Sequence, residues 1–122
     1  MATATTARRP STDDRLDRVF HALADRTRRA LLARLAKGPG NVTELAAPFA
    51  MSLNAVSKHL KVLESAGLIA REVEGKVHRC SLAAAPLRTA DQWLAFYRAF
   101  WVGNLDAVAA FVEREAHERR RP

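Results

Sequence analysis

Apolar and polar residues recur with the period of a helix between Met51 and Ile69. Ser52 stands at the position of a helix N-cap, and Gly67 stands where a helix commonly ends in a residue of positive φ. The stretch 52–66 therefore predicts a short helix with one buried apolar face. The opposite face carries only amide, hydroxyl and ammonium groups, on Asn54, Ser57, Lys58, Lys61 and Ser65. These groups can bind base edges and phosphates, although an ordinary amphipathic surface helix shows the same periodicity.

A second, shorter helix is predicted just before it, over 42–49. Asn41 can act as its N-cap, and Glu44 can reach back as in a capping box. A turn of about three residues then gives helix-turn-helix spacing. After the motif, Leu68–Leu82 predicts two strands around the turn signal Glu74-Gly75. A helix-turn-helix followed by a basic hairpin is the order of a winged helix, whose second helix enters the major groove while the wing lies along the backbone or minor groove.

Amphipathic patterns also predict two helices near the N-terminus. The first begins after Ser11 or Thr12 and carries apolar residues at helical spacing. The second begins at Asp25 and ends at Gly38-Pro39-Gly40. This second helix presents a cluster of arginines, for which phosphate binding and a solvated helix face are both open. The cluster consists of Arg26, Arg28 and Arg29.

The longest predicted element follows Pro86 and runs from Leu87 to about His117, with Gly103 as an interruption. Its aromatic residues share one broad face, whose area exceeds what the small core of this chain can cover. Aromatic side chains are enriched at interfaces, so we expect a homodimer through this helix and the first one; an intrachain cap on the core is the alternative. The predicted interface residues are Leu16, Val19, Phe20, Trp93, Tyr97, Phe100, Trp101, Val108 and Phe111.

Together these elements predict a mainly α fold with a small β-hairpin. It is a winged helix-turn-helix in the order α-α-α-α-β-β-α that dimerises through its terminal helices. A chain of 122 residues fits a single domain over 12–118, including the terminal helix over 87–117. We expect a disordered basic tail over 1–11 and a second basic tail over 119–122.

The amino-acid composition limits the possible classes of function but does not identify one. The chain has 20 Lys and Arg against 13 Asp and Glu, and its net charge of +7 suits a polyanion such as DNA. The single cysteine, Cys80, excludes a disulfide within the chain and fits a reducing compartment. The sequence has neither an apolar stretch long enough for a membrane span nor the apolar core of a signal peptide. We therefore expect a cytoplasmic protein with no membrane partner.

Three segments resemble the ArsR family of dimeric winged-helix repressors, namely ALADRTRRALLARLA, VTELAAPFAMSLNAVSKHLKVLESAGLIARE and EGKVHRCSL. The resemblance spans Phe20 to Leu82, and its most specific part is the run S-K-H-L-K-V-L-x-x-A-G-L-I. The later segment PLRTADQWLAFYRAFWVGNLDAVAAF is similar to a metal-free subgroup, whose genes often neighbour those of START-like lipid-binding-fold proteins. The resemblance implies a homodimeric regulator of double-stranded DNA. Two copies of the helix over 52–66, about one helical turn of DNA apart, predict a palindromic operator, with its own gene as one candidate target. A dimer that excludes RNA polymerase from a promoter would act as a repressor; activation is the open alternative.

The metal-binding positions of other family members carry no metal ligands here. The family's paired cysteines before the short helix correspond to Asn41 and Thr43, which offer no thiolate. On the terminal helix, the D-x-H pattern fails at Trp93 and the H-x-x-E pattern fails at Arg120. The four histidines show no ligand spacing among themselves. We therefore expect no metal and no other cofactor, and no effector is identifiable from the sequence.

The predicted DNA-binding residues lie on the second helix of the motif and on the wing. Asn54 can bind adenine through two hydrogen bonds and Ser57 can bind a base edge or a phosphate, while the lysines suit phosphates or a guanine edge. Strand alternation places Lys76 and His78 on one side of the wing and Arg79 on the other, so these residues do not face DNA equally. The predicted set is Ser52, Asn54, Ser57, Lys58, Lys61, Arg71, Lys76 and Arg79.

Three further residues carry specific expectations. His59 projects to the flank of the apolar stripe, which favours a packing or helix-bonding role over direct base contact. Cys80 is expected to be a packed strand residue, with a thiol switch between chains as the weaker alternative. Ala50 occupies a turn position that often takes glycine, so a positive φ there would be strained.

Two other functional classes compete with DNA binding. The sequence lacks a glycine-rich phosphate loop, a recognisable nucleophile constellation and paired inward carboxylates, which argues against an enzyme. The main alternative is a protein-interaction module of winged-helix fold with only non-specific affinity for nucleic acid.

Overall fold

The computed structural model describes residues 11–102 and 105–120, and of residues 105–111 and 120 the backbone alone. The chain divides between Ala90 and Asp91 into two compact units. No helix in the described ranges is long and apolar enough to cross a lipid bilayer. The elements in chain order are α1 (Thr12–Leu23), α2 (Arg26–Leu35), β1 (Gly40–Asn41), α3 (Val42–Ala46), α4 (Leu53–Ser65), β2 (Ile69–Glu74), β3 (Val77–Leu82), α5 (Ala85–Trp101) and α6 (Leu105–Arg120).

This order confirms the predicted fold class, a mainly helical winged helix-turn-helix with a small antiparallel sheet. Its core lies in the first unit, where α2, α3, α4 and the sheet bury their apolar faces against one another. One cluster of buried core residues, to which α1 contributes Ala22, consists of Ala22, Leu31, Leu32, Leu35, Leu45, Val56, Leu60, Leu63, Leu68, Ile69 and Cys80.

Side-chain caps begin the first two helices where the sequence predicts them. Ser11 accepts a hydrogen bond from the backbone N–H of Asp14 at 3.1 Å, and the Asp14 carboxylate accepts one from the N–H of Ser11 at 3.3 Å. This capping box starts α1. Asp25 caps α2 by accepting from the N–H of Arg28 at 3.0 Å.

Two of the clustered arginines bond to backbone carbonyls of α1, while Arg26 is exposed. Arg28 is half-buried and donates from Nε to the carbonyl of Ala22 and from Nη2 to that of His21, both at 2.8 Å. Arg29 donates to the carbonyl of Leu23 at 2.7 Å. The last carbonyls of a helix have no partner within it, so these guanidinium groups satisfy the end of α1 and join it to α2.

The first helix of the helix-turn-helix is shorter than predicted. Asn41 and Glu44 form the predicted capping box, but α3 ends at Ala46 and not at Phe49. Pro48 has no N–H to continue the helix, and the chain leaves it through a turn in which Phe49 donates to the carbonyl of Ala46 at 3.0 Å.

The connection to α4, residues 47–52, is therefore longer than the predicted turn. It needs no left-handed residue, and the strain expected at Ala50 is absent. Within the described ranges, φ is positive only at glycines, one of which is Gly67 with φ of 76°. Gly67 ends α4 as predicted, and its N–H donates to the carbonyl of Glu64 at 2.9 Å.

The wing is the predicted hairpin, with a third strand that the sequence pattern does not predict. β2 and β3 pair antiparallel around Gly75, and β1 pairs with the other edge of β3. β1 has two residues, too few to show alternation. Its Gly40 is buried, and a Cβ there would lie 2.9 Å from Nη2 of Arg34 and 3.2 Å from Cδ2 of Leu45. A side chain at this position would therefore require the ends of the Arg34 and Leu45 side chains to move.

Cys80 is fully buried in the core, as predicted for a packed strand residue. Burial raises the pKa of its thiol; the nearby Arg71 cation opposes that rise and Glu64 adds to it. A buried thiol of raised pKa is a poor nucleophile, which argues against the thiol-switch alternative.

The single terminal helix predicted over 87–117 is two helices in the structure. α5 begins at Ala85, since Pro86 is tolerated in a first helical turn, where its missing N–H has no partner to lose. α5 ends at Trp101 and α6 begins at Leu105. Gly103 lies outside the described residues, and glycine disfavours a helix interior by about 1 kcal/mol relative to alanine.

The predicted tails lie largely outside the described residues, which exclude 1–10 and 121–122. At the inner edges of both tails the structure differs from the prediction. Ser11 belongs to α1 as its cap, and α6 continues to Arg120.

Candidate nucleic-acid interface

The orientation of α4 is determined by its apolar face. Val56, Leu60 and Leu63 are fully buried, which turns the opposite, polar stripe outward. Ser52 is already occupied as the N-cap, because its Oγ accepts a hydrogen bond from the N–H of Ala55 at 3.0 Å. The stripe consists of the half-buried Ser57 and the exposed Asn54, Lys58, Lys61 and Ser65.

A groove of about 620 Å³ lies between α4, the wing and the start of α3. Three segments distant in sequence thus contribute to one surface. Its polar groups are amides, hydroxyls and cations, and no carboxylate is among the residues that line it. These residues are Asn41, Val42, Thr43, Leu53, Asn54, Ser57, Arg71, Lys76, Val77 and His78.

The groove, which we call the helix–wing groove, brings together half of the predicted DNA-binding set, namely Asn54, Ser57, Arg71 and Lys76. Lys58, Lys61 and Arg79 do not line it. Lys61 lines a separate groove of about 300 Å³ at the C-terminal part of α4, where α1 contributes Arg18 and His21. Arg79 is exposed on the outer face of the hairpin.

Arg71 is placed differently from the exposed phosphate ligand that the sequence predicts. Its side chain is only 12% exposed, and its Nε lies 3.5 Å from Oε1 of Glu64 on α4. Its Nη1 lies 3.4 Å from Nδ1 of His78. Arg71 lies two residues after the buried Ile69 on β2 and therefore on the same, inward face of the strand.

Thr43 is a groove residue that the DNA-binding prediction missed. It is exposed in the first turn of α3 and lines the helix–wing groove beside Asn41. In the sequence, Thr43 stands out only as one of the positions that correspond to the family's metal-binding cysteines. The helix-turn-helix motif itself indicates that Thr43 lies near DNA, because the first helix of such a motif crosses the DNA backbone.

His59 has the packing and helix-bonding role that was predicted for it. Its Nδ1 lies 3.3 Å from Nη1 of Arg28 and 3.8 Å from Oδ2 of Asp25, which connects α4 to α2. The backbone hydrogen bond from Arg28 holds the pKa of Asp25 below its usual value; burial opposes this, and the electrostatic effect of the nearby Arg28 side chain adds to it. This cluster helps to hold α4 in place from its inner side.

The aromatic residues predicted to form a dimer interface are exposed on α5 and contact one another. The ring centroids of Trp93 and Tyr97 lie 4.7 Å apart, and those of Tyr97 and Phe100 lie 6.2 Å apart. Phe100 is 80% exposed, and Trp101 is also exposed. Phe96, which the prediction omitted, is 73% exposed and lies edge-on to Tyr97 at 5.0 Å.

The α1 part of the predicted interface needs a correction. Val19 is fully buried within the chain and is a core residue, because it lies on the inward side of α1 with Ala22. Leu16 and Phe20 are half-buried. The side chains of two further predicted interface residues, Val108 and Phe111, lie outside the described part of the structure.

In the part of the chain that the structure describes, no three His, Cys, Asp or Glu side chains come close enough together to hold a metal ion. Asn41 serves as the N-cap of α3, so its side chain has a structural function at one of the positions where other family members place a ligand.

Comparisons with known proteins agree with this fold. A model of a helix-turn-helix domain family matches residues 23–72, from the end of α1 into β2. The HTH-type transcriptional regulator Rv2034 of Mycobacterium tuberculosis is 40% identical over 106 residues, which cover 84% of this chain and 92% of that protein. The transcriptional repressor SdpR of Bacillus subtilis is 30% identical over 79 residues, which cover 65% of this chain and 88% of that protein.

Solved structures give the same result. The crystal structure of the ArsR family transcriptional regulator RHA00566 matches with a TM-score of 0.70 at 40% identity, covering 75% of this chain and 95% of that one. The solution structure of the homodimeric winged helix-turn-helix DNA-binding domain Mb0332 from Mycobacterium bovis matches with a TM-score of 0.56 at 28% identity, covering 71% and 82%. The chain therefore belongs to the ArsR family of transcriptional regulators.

Proposed function

We propose that this chain is a homodimeric repressor that binds a palindromic DNA operator through α4 and the wing, with its own promoter among the targets. The observation that carries the proposal is the helix–wing groove, whose lining has amides, hydroxyls and cations but no carboxylate. DNA presents hydrogen-bonding base edges in its major groove and anionic phosphates on either side. A polar helix flanked by cations complements both.

In this proposal α4 reads the major groove. Asn54 is exposed in the first turn of α4 and suits the N6 and N7 atoms of adenine. Ser57 follows on the same stripe and suits a base edge or a phosphate. Lys58 and Lys61 suit phosphates or a guanine edge, and Lys61 extends the contact beyond the helix–wing groove. Ser52 acts through the cap that it provides, which orders the first turn of α4.

The wing and α3 supply contacts to the DNA backbone. Lys76 lies at the turn of the hairpin and lines the groove, and Arg79 is exposed on the outer face. Both suit phosphates, which raise affinity and its dependence on salt without reading sequence. Thr43 at the start of α3 suits a phosphate on the other side of the groove.

Reading a palindrome requires two copies of α4. The exposed aromatic side chains on α5 offer the apolar area that a second copy would cover, and the related Mb0332 domain is homodimeric. Two α4 helices would then reach successive major grooves about 34 Å apart. A dimer held on a promoter in this way would exclude RNA polymerase, and the relative SdpR is a transcriptional repressor.

Selection of binding sites from random double-stranded DNA tests this proposal. We expect one enriched site with two-fold symmetry, whose half-sites are centred about one helical turn, 10–10.5 base pairs, apart. Asn54→Ala should relax the preference at one position of each half-site and leave the others unchanged. An enriched site without two-fold symmetry would contradict binding by a symmetric dimer. The absence of any enriched motif would favour a protein-interaction module.

A further inference from the structure

We infer that Arg71 is a positioning residue that holds the wing at a set distance from α4, an inference that rests on the proposed function. Arg71 lies on β2, and its guanidinium bridges Glu64 on α4, at 3.5 Å, and His78 on β3, at 3.4 Å. The Arg71 side chain is 12% exposed and that of Glu64 is 42% exposed. The cation therefore connects the reading helix to both strands of the wing from the inner side.

The register of the hairpin explains this placement. Arg71 lies opposite Cys80, which is fully buried, and opposite residues of an antiparallel pair share one face of the sheet. The neighbouring pair, Glu72 with Arg79, occupies the other face and is exposed. Two arginines of one hairpin thus have different surroundings, and only Arg79 is free to approach a phosphate.

The contact between Arg71 and Glu64 contributes little to the free energy of unfolding. Nε and Nη2 of Arg71 are buried and have no hydrogen-bond partner within the described residues. The contact with Glu64 is an ion pair without the geometry of a hydrogen bond. Removing a guanidinium from water is costly, and an unbranched apolar side chain would pack at the same position without that cost. What the arginine contributes here is a defined geometry.

That geometry belongs to the surface proposed to bind DNA. Arg71 and His78 line the helix–wing groove together with Asn54 of α4 and Lys76 of the wing turn. DNA must contact the helix and the wing at the same time, and hydrogen bonds weaken beyond a donor–acceptor distance of about 3.2 Å. A wing free to shift by about 1 Å would therefore lose contacts, and ordering it on binding would cost entropy.

The substitution Glu64→Gln tests the inference, because the positioning role and simple charge repulsion predict opposite changes in DNA affinity. Neutralising a carboxylate close to a DNA-binding surface ordinarily strengthens binding, because a repulsion is removed. If Glu64 positions the wing through Arg71, this variant instead weakens operator binding about tenfold, comparable to the loss from one mismatched base pair. Glu72→Gln is the matched control: it neutralises an exposed carboxylate on the outer face of the same hairpin. Binding by this control should be unchanged or stronger.

The substitution Arg71→Met distinguishes an effect on the position of the wing from an effect on the stability of the fold. We expect an unfolding temperature at or above that of the unchanged protein, and operator affinity reduced about tenfold. Combining it with Glu64→Gln should add no further loss, because both changes break one bridge. Lys76→Ala should weaken binding by the unchanged protein and have little effect in the Arg71→Met background.

The outcomes separate the inference from the proposed function. Operator binding by the Glu64→Gln variant that is unchanged or stronger would overturn the positioning role of Arg71. Additive losses of operator affinity from Glu64→Gln and Arg71→Met would overturn it as well. If the unchanged protein showed no sequence-specific binding, the proposed function itself would fail. Glu64 is substantially exposed, so its variant remains informative even if Arg71→Met reduces folding.

Discussion

Arginine side chains in this protein differ in function according to their surroundings and not according to their charge. Arg28 closes the end of α1 and contacts His59, and Arg71 bridges α4 and the wing. Arg79 is exposed and suits a phosphate. The count of 20 Lys and Arg residues therefore overstates the number of cations available to DNA, because some of these side chains bond to carbonyls and carboxylates within the fold.

Asp25 gives a prediction about pH. Its pKa is lowered, chiefly by the hydrogen bond from the backbone N–H of Arg28, so its carboxylate stabilises the fold above the usual pKa of about 3.8. That contribution is lost as the pH falls through the lowered, folded-state pKa. Asp25→Asn keeps a good N-cap and removes the titration. We expect this variant to lose less stability than the unchanged protein between about pH 5 and pH 3.

Thermal unfolding of both proteins at these two pH values measures the difference. At about pH 5 the unchanged protein should be the more stable one, and the gap should narrow at about pH 3. Equal losses in the two proteins would mean that Asp25 is not held in its charged form by the folded structure.

Helices and strands could be predicted where the signal was local. The N-caps Ser11, Asp25, Asn41 and Ser52 and the turn at Gly75 follow from one or two residues each, and all occur where predicted. The polar stripe of α4 likewise follows from a single helical period. Local chemistry therefore accounts for the helix-turn-helix and the hairpin.

Three features differ from the sequence prediction, each for its own physical reason. The two residues of β1 are a strand only because β3 lies beside them. The end of α3 depends on the competition between a helix and the turn that Pro48 permits. Arg71 was predicted to bind DNA because of its charge, although its position two residues after the buried Ile69 indicates the inward face of β2. For Arg71, the strand pattern indicated the correct, inward face, whereas its positive charge suggested contact with DNA.

Helix α5 carries the prediction about assembly. Phe100 and Trp101 are largely exposed, so replacing both with alanine should cost the single chain little. If a second copy covers them, each aromatic anchor contributes about 2 kcal/mol or more to association. We therefore expect the double variant to be monomeric at micromolar concentration by light scattering. Val73→Ala, which removes an exposed apolar group from the wing, is the matched control and should leave the mass unchanged. A double variant with the same mass as the unchanged protein would contradict the interface.

The complete chain combines these parts into one expected behaviour, a dimer whose affinity for DNA depends steeply on salt. Each protomer offers four exposed cations on α4 and the wing, namely Lys58, Lys61, Lys76 and Arg79. Two protomers would then neutralise about eight phosphates, for which the logarithm of the binding constant falls with the logarithm of salt concentration with a slope of about −7. A specific operator adds base contacts that competing DNA cannot supply.

Fluorescence anisotropy on DNA from immediately upstream of the chain's own gene, across a salt series and with excess unrelated DNA, tests the DNA-binding account most directly. We predict binding as a dimer that survives the competitor and weakens with a slope of about −7. The double substitution Lys58→Ala with Lys61→Ala should make that slope shallower by about 4, because four phosphate contacts per dimer are lost. Binding that the competitor abolishes, or a slope that the double substitution leaves unchanged, would contradict the account.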